Sequence, residues 1–138
     1  MAFTPTIDGH VYVMIDFDGT VTTDRDDQYG EYHMHDNVVD VISHLGEIEN
    51  VHLGLWTCRH GKFLRNAENF LANKGVYHYF EVINEDFPEF VEKFGGEASR
   101  KAGADIYFDD RCLLGEKVDW LKFENYILQC VEEMEENA

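Results

Sequence analysis

Apolar residues in this chain recur at two alternating spacings, and each change of spacing marks a change of element. Val11-Tyr12-Val13-Met14-Ile15 is an unbroken apolar run of strand length, as a strand covered on both faces requires. Val38, Val41, Ile42 and Leu45 then recur at helical spacing. Asp36 or Asn37 stands at the N-cap position of that helix, and Gly46 follows its last apolar residue as a stop would. Val51 to Trp56 reads as a second strand that ends at Thr57-Cys58-Arg59. Phe63, Leu64, Ala67, Phe70 and Leu71 mark one face of a second helix, with Gly75 at its C-terminal cap. Tyr79 to Ile83 is a third strand. Asn84 to Ser99 is ambiguous, with a short helix around Glu89 to Phe94 broken by Gly95-Gly96. Ala104 to Phe108 is a fourth strand, ending at Asp109-Asp110. Trp120, Phe123, Ile127, Cys130, Val131 and Met134 give a final amphipathic helix.

Strands alternating with helices predict an α/β fold with a mostly parallel sheet, here as one domain over residues 1–138. Three strands end in polar clusters: Asp16/Asp18, Thr57/Arg59 and Asp109/Asp110. Open parallel sheets bind ligands beyond the carboxyl ends of their strands, so these clusters are expected to converge. Alternation along a strand predicts that Asp16 and Asp18 point the same way, with Gly19 allowing a sharp turn after them. Four carboxylates at one sheet edge repel one another unless a cation sits among them. An all-oxygen set of this kind suits Mg²⁺.

Charge qualifies this picture. The chain carries 28 acidic and 11 basic residues, a net charge of −17. Such a surface favours solubility and repels nucleic acid and anionic membranes at long range, so stable binding of long nucleic acid is not expected. An anionic ligand would need local cations that outweigh the global field. No run approaches the roughly 18–20 apolar residues of a membrane span. Met1-Ala2-Phe3-Thr4-Pro5 lacks the basic flank and apolar centre of a signal peptide. A soluble cytoplasmic protein with no membrane partner is expected. Cys58, Cys112 and Cys130 fit neither a disulfide framework nor a CxxC zinc site and read as buried or half-buried free thiols. Glu132-Glu133-Met134-Glu135-Glu136 reads as a solvated helix end.

Asp16-Phe17-Asp18-Gly19-Thr20, then Thr57, Lys101 and Asp109-Asp110, resemble in order the four motifs of the haloacid dehalogenase superfamily of phosphohydrolases. The resemblance spans about Val11 to Arg111. Leu-Trp-Thr-Cys-Arg and Ser-Arg-Lys followed by Tyr-Phe-Asp-Asp-Arg are also similar to small bacterial and phage members. It implies a Rossmann-like parallel sheet sandwiched by helices. It further implies that Asp16 is the nucleophile, forming an aspartyl-phosphate, and that Asp18 is the general acid and then base. Mg²⁺ would be held by Asp16, Asp18 (through its main-chain carbonyl), Asp109 and Asp110. Thr57 would hydrogen-bond the phosphoryl oxygens and Lys101 would neutralise charge, with Cys58 and Arg59 on the substrate side. The second carboxylate, Asp18, points to a phosphatase, since the superfamily's dehalogenases lack it.

Taken singly, these residues have ordinary readings. Asp109-Asp110-Arg111 is a solvated turn, Lys101 a surface lysine and Thr57 a strand end; their joint order carries the argument. Arg59 and Arg111 have two readings open, substrate contact or pairing with nearby acids. Either Arg100 or Lys101 points inward. His33 and His35 lack a third ligand and read as surface residues before a zinc site. Asp24, Asp26 and Asp27 lack the glycine and terminal Glu of an EF-hand calcium loop.

Loop lengths leave no room for a cap domain, so the site is expected to be open, or covered by a homo-oligomeric partner. Residues 22–34 are the expected flap, with Tyr29, Tyr32 and His33 available to a leaving group. The expected function is Mg²⁺-dependent hydrolysis of a phosphomonoester: a nucleotide, a sugar phosphate or a nucleic-acid phosphate end. The rival is a non-catalytic phosphate- or partner-binding module on the same scaffold. A receiver-type signalling domain is disfavoured, because its acidic pair ends the first strand and its phosphorylated Asp a later one.

Overall fold

The computed structural model of the chain describes residues 3–23, 32–113 and 116–137. Four strands, β1 (Val11–Ile15), β2 (Val51–Leu55), β3 (Phe80–Ile83) and β4 (Ile106–Phe108), form one parallel sheet in the order β3-β2-β1-β4. Helices α1 (Val38–Gly46), α2 (Gly61–Asn73), α3 (Pro88–Lys93) and α4 (Trp120–Glu136) flank it, with a 3-10 turn at Tyr77–Tyr79. This is a Rossmann-like α/β arrangement, and no cap domain is present among the described residues. No helix among them is long and apolar enough to cross a membrane.

The unbroken apolar run of β1 is explained by burial on both faces. Val11, Val13 and Ile15 join one cluster with α1, α2 and α4, through residues such as Ile42, Leu71 and Ile127. Tyr12 and Met14 join a smaller cluster on the opposite face with Val82, Phe87 and Phe90. The sheet is therefore covered thickly on one side and by α3 and its neighbours on the other. A parallel sheet needs both covers to keep its strands out of water.

Several boundaries differ from the sequence expectation for identifiable reasons. Tyr79 belongs to the 3-10 turn, so β3 starts at Phe80. β4 starts two residues later than expected, because Asp105 turns its carboxylate back to accept hydrogen bonds from the N–H groups of Thr6 and Tyr12, both at 2.8 Å. Asn37 holds the N-cap position of α1 in a left-handed conformation, with no side-chain cap bond. Gly46 is the last residue of α1, and its φ is not in the left-handed region. Its value is clearance: a Cβ there would lie 2.4 Å from the Tyr79 ring. Of the cysteines, Cys130 is buried as expected, whereas Cys58 and Cys112 are exposed. Residues 24–31 of the expected flap, including Asp24, Asp26, Asp27 and Tyr29, lie outside the described residues. At the base of that segment Thr22 bridges Met34 in antiparallel fashion.

Gly54 sits in the middle of β2, where a Cβ would meet Met14 Sδ at 2.7 Å, Val82 Cγ2 at 2.9 Å and Phe87 Cζ at 3.0 Å. Overpacking of this kind costs about 1–3 kcal/mol. Gly54→Ala is expected to lower unfolding free energy by that amount, read from the urea midpoint at unchanged slope.

Candidate active site

Register brings the expected residues to one sheet edge. Ile15 lies opposite Leu55 on one side and Phe108 on the other. The next residues continue the pairing: the Asp16 N–H donates to the Phe108 carbonyl at 3.0 Å, and the Trp56 N–H donates to the Ile15 carbonyl at 2.9 Å. Asp16 and Asp109 therefore directly follow, and Thr57 follows by two residues, the C-terminal ends of adjacent strands.

Asp16, Asp109 and Asp110 form a cluster in which each offers an oxygen within 4.8 Å of the others. Thr20 stitches it together. Its hydroxyl donates to Asp16 Oδ2 at 3.2 Å and accepts the Asp110 N–H at 2.9 Å. Its own carbonyl accepts the buried indole N–H of Trp120 at 2.8 Å. The Asp16 carboxyl is pushed up to about 7, first by burial and then by Asp109. Asp110 adds to the rise, while hydrogen bonds from the Phe17 N–H and the Thr20 hydroxyl oppose it. An oxygen-rich, mutually repelling donor set of this kind fits a hard divalent cation such as Mg²⁺.

Asp18 goes elsewhere. Strand geometry ends at Ile15, and the N–H groups of Thr20, Val21 and Thr22 all turn back onto the Phe17 carbonyl. Gly19 takes a φ of 83° in that turn. The period of two no longer applies, so Asp16 and Asp18 part company. Asp18 accepts two hydrogen bonds from Arg59, from Nε to Oδ2 and from Nη2 to Oδ1, both at 2.7 Å. Its side chain is thus absent from the carboxylate cluster, which corrects the expectation that it points the same way as Asp16; the expected contact through its main-chain carbonyl does not depend on the side chain. Of its two open readings Arg59 takes the second, pairing with an acid in place of its expected position on the substrate side, and Asp18 holds its guanidinium pKa above the ordinary value.

Thr57 accepts the Arg59 N–H on its hydroxyl at 3.2 Å and donates its own N–H to Asn84 Oδ1 at 2.8 Å. Asn84 also donates from Nδ2 to the Arg59 carbonyl at 3.0 Å, and it holds this bridging pose at a φ of 53°. The turn carrying Thr57, Cys58 and Arg59 is thereby pinned to the end of β3. Lys101 is exposed, and its ammonium lies over the Tyr107 ring, 4.6 Å from the centroid. No hydrogen bond or ion pair among the described residues joins it to Asp16, so its expected place beside the nucleophile is not met. Arg111 is exposed, and its N–H donates to Asp109 Oδ1 at 2.9 Å.

Sequence reasoning missed three supports. His35 Nε2 donates to the Gly19 carbonyl at 3.0 Å, giving a role inside the turn to a residue expected on the surface. Asn84 and Trp120 are the others. None stands within a motif, and only Asn84 carries a signal, as a residue tolerant of positive φ just after a strand. Beside the cluster lies an open cleft of about 480 Å³, with Gly19, Thr23, His35, Asp110 and Lys117 on its walls.

The fold is shared with a solved structure described as that of a conserved protein coded by a locus from Bacteroides thetaiotaomicron. The two align with a TM-score of 0.70 at 29% identity, over 87% of this chain and 91% of that one. No protein-family profile matches the chain, and neither does any curated protein.

A raised carboxyl pKa means the folded state binds that proton more tightly than the unfolded state, whose Asp titrates near 3.8. Stability from this group is present below that value and is lost as pH rises to about 7. In EDTA, Asp16→Asn should therefore be more stable than the parent at pH 8, by about 1–2 kcal/mol after allowance for partial solvent screening. The gap should close near pH 4; denaturant titrations at both pH values check it.

Proposed function

We propose that the protein is a Mg²⁺-dependent phosphomonoester hydrolase of the haloacid dehalogenase type. The observation that carries this reading is the clustering of Asp16, Asp109 and Asp110, held by Thr20 at the carboxyl edge of a parallel sheet. In this reading Asp16, Asp109 and Asp110 hold the ion, with the main-chain carbonyl of Asp18. The ion supplies charge neutralisation for the incoming phosphate.

Asp16 contributes one carboxylate oxygen as nucleophile. It forms a bond to phosphorus in line with the ester oxygen that leaves, giving an aspartyl-phosphate. Asp18, an ion-paired carboxylate in this structure, must take up one proton before the first turnover, and it gives that proton to the departing oxygen. It then takes one from a water molecule, whose oxygen attacks phosphorus and releases inorganic phosphate and the Asp16 carboxylate. The Thr57 hydroxyl accepts from the Arg59 N–H, and no acceptor for its proton is found among the described residues, so it is available to a phosphoryl oxygen. The open cleft bounded by Gly19, His35 and Lys117 gives the rest of a phosphate ester a place to lie. Nucleotides, sugar phosphates and phosphorylated nucleic-acid ends are the candidate classes, and the acidic surface disfavours long polyanions.

A non-catalytic phosphate- or partner-binding module draws support from one observation: Lys101 lies on Tyr107 instead of beside Asp16. One assay separates the readings. Hydrolysis of an aryl phosphate should require Mg²⁺, stop in EDTA and fall to background in Asp16→Asn. Saturable phosphate binding with Mg²⁺, but no turnover across a broad phosphate panel, would establish the binding module.

A further inference from the structure

Arg59 spends its donors unusually completely. A guanidinium has five N–H bonds. Nε and one Nη2 proton go to Asp18, each at 2.7 Å. Both Nη1 protons are also taken, one by the Tyr32 hydroxyl at 2.8 Å and one by the Phe63 carbonyl at 3.0 Å. One Nη2 proton is left. The Phe17 and Tyr32 rings, whose centroids are 5.4 Å apart, also lie against one side of the group, with its carbon 5.0 Å from the Phe17 centroid and 4.9 Å from that of Tyr32. Only 8% of the side chain is exposed. A two-pronged grip on phosphate needs two convergent donors on an open edge, and this guanidinium has only one left.

We propose that Arg59 is a positioning residue for Asp18 and not a ligand of phosphate. It fixes both oxygens of the carboxylate and joins them to Tyr32 of the 22–34 segment. Tyr32 is itself held by ring packing on Phe17 and Phe70, edge to face, with centroids 5.4 and 5.1 Å apart. Phe63 adds the first turn of α2 to the same clamp. Asp18 is consequently aimed by three separate elements through one planar cation. The inference takes from the phosphatase reading the assignment of Asp18 as proton carrier.

Lysine separates the two roles. It keeps the charge a phosphate ligand supplies but loses the flat, two-pronged grip and the stacking. Arg59→Lys and Arg59→Met should therefore behave alike. In both, kcat falls about 10²-fold, at the low end of what general acid–base catalysis contributes. KM, and the Kd of inorganic phosphate with Mg²⁺ by calorimetry, stay within about twofold. Tyr32→Phe keeps the ring stack and removes one acceptor, so it should lower kcat modestly and leave KM alone. Added guanidinium should restore part of the kcat of Arg59→Ala by refilling the space between Asp18 and the two rings. Arg59→Lys near the parent rate, a tenfold rise in phosphate Kd for Arg59→Met, or an unchanged kcat in both would each overturn the proposal.

A measurement free of turnover keeps it apart from the phosphatase reading. The Arg59 Nε–H resonance should be protected from exchange, disappear in Asp18→Ala and stay in place when phosphate and Mg²⁺ are added. A resonance that survives Asp18→Ala, or moves on phosphate addition, would sink it. If the parent protein hydrolyses nothing, the phosphatase reading fails and the resonance still decides whether Arg59 positions Asp18.

Discussion

Two unit charges 4.8 Å apart repel by about 3–4 kcal/mol at an effective dielectric of 20, and Asp16 faces two such neighbours. Side-chain attraction does not assemble this cluster; backbone does. Asp16 is fixed by the main-chain bond to Phe108, and Asp110 by the bond of its N–H to Thr20. Thr20 is in turn fixed by Trp120, whose ring is buried at the start of α4. Asp119 caps that helix with hydrogen bonds from the N–H groups of Leu121 and Lys122. The hydrophobic core thus supplies the work of bringing like charges together, and a cation would return part of it.

The architecture was readable because it depends on residue spacing. A run such as Val11 to Ile15 can only be a doubly covered strand, and Val38, Val41, Ile42 and Leu45 can only bury one helical face. The convergence of Asp16, Thr57 and Asp109 was expected from polar clusters at the carboxyl ends of parallel strands; the order β3-β2-β1-β4, which makes their three strands adjacent, is known only from the structure. What spacing cannot encode is the direction of a side chain just past a strand end. Asp18 was expected to lie parallel to Asp16, but three N–H groups converging on the Phe17 carbonyl bend the chain first. Lys101 follows a stretch with two positive-φ glycines, Gly95 and Gly96, and lies in no helix or strand that would aim it. His35 and Asn84 were invisible as site residues because each bonds a main-chain carbonyl or N–H rather than a motif side chain.

The net charge of −17 makes the local balance of charge decisive. Of the cations expected near the site, Arg59 is neutralised by Asp18, and Lys101 is stacked on Tyr107. Arg111 is exposed at the rim. These side chains leave little positive potential over three clustered carboxylates. Were the protein to take an anionic ligand as proposed, that ligand would gain most of its attraction from a divalent ion, and the two would bind interdependently.

Asp16 and Asp18 have the same chemistry and are two residues apart, yet their surroundings are opposite in charge. Asp16 is half-buried among other acids, and its carboxyl is pushed up to about 7. Asp18 is ion-paired before any ligand arrives, with both oxygens in hydrogen bonds to one guanidinium. The Phe17 side chain between them is wholly buried and serves as one wall of the Arg59 slot. The residue that separates the carboxylates in sequence thus also separates their environments, which is how one short motif comes to hold a carboxyl raised by its acidic neighbours beside a carboxylate held by arginine.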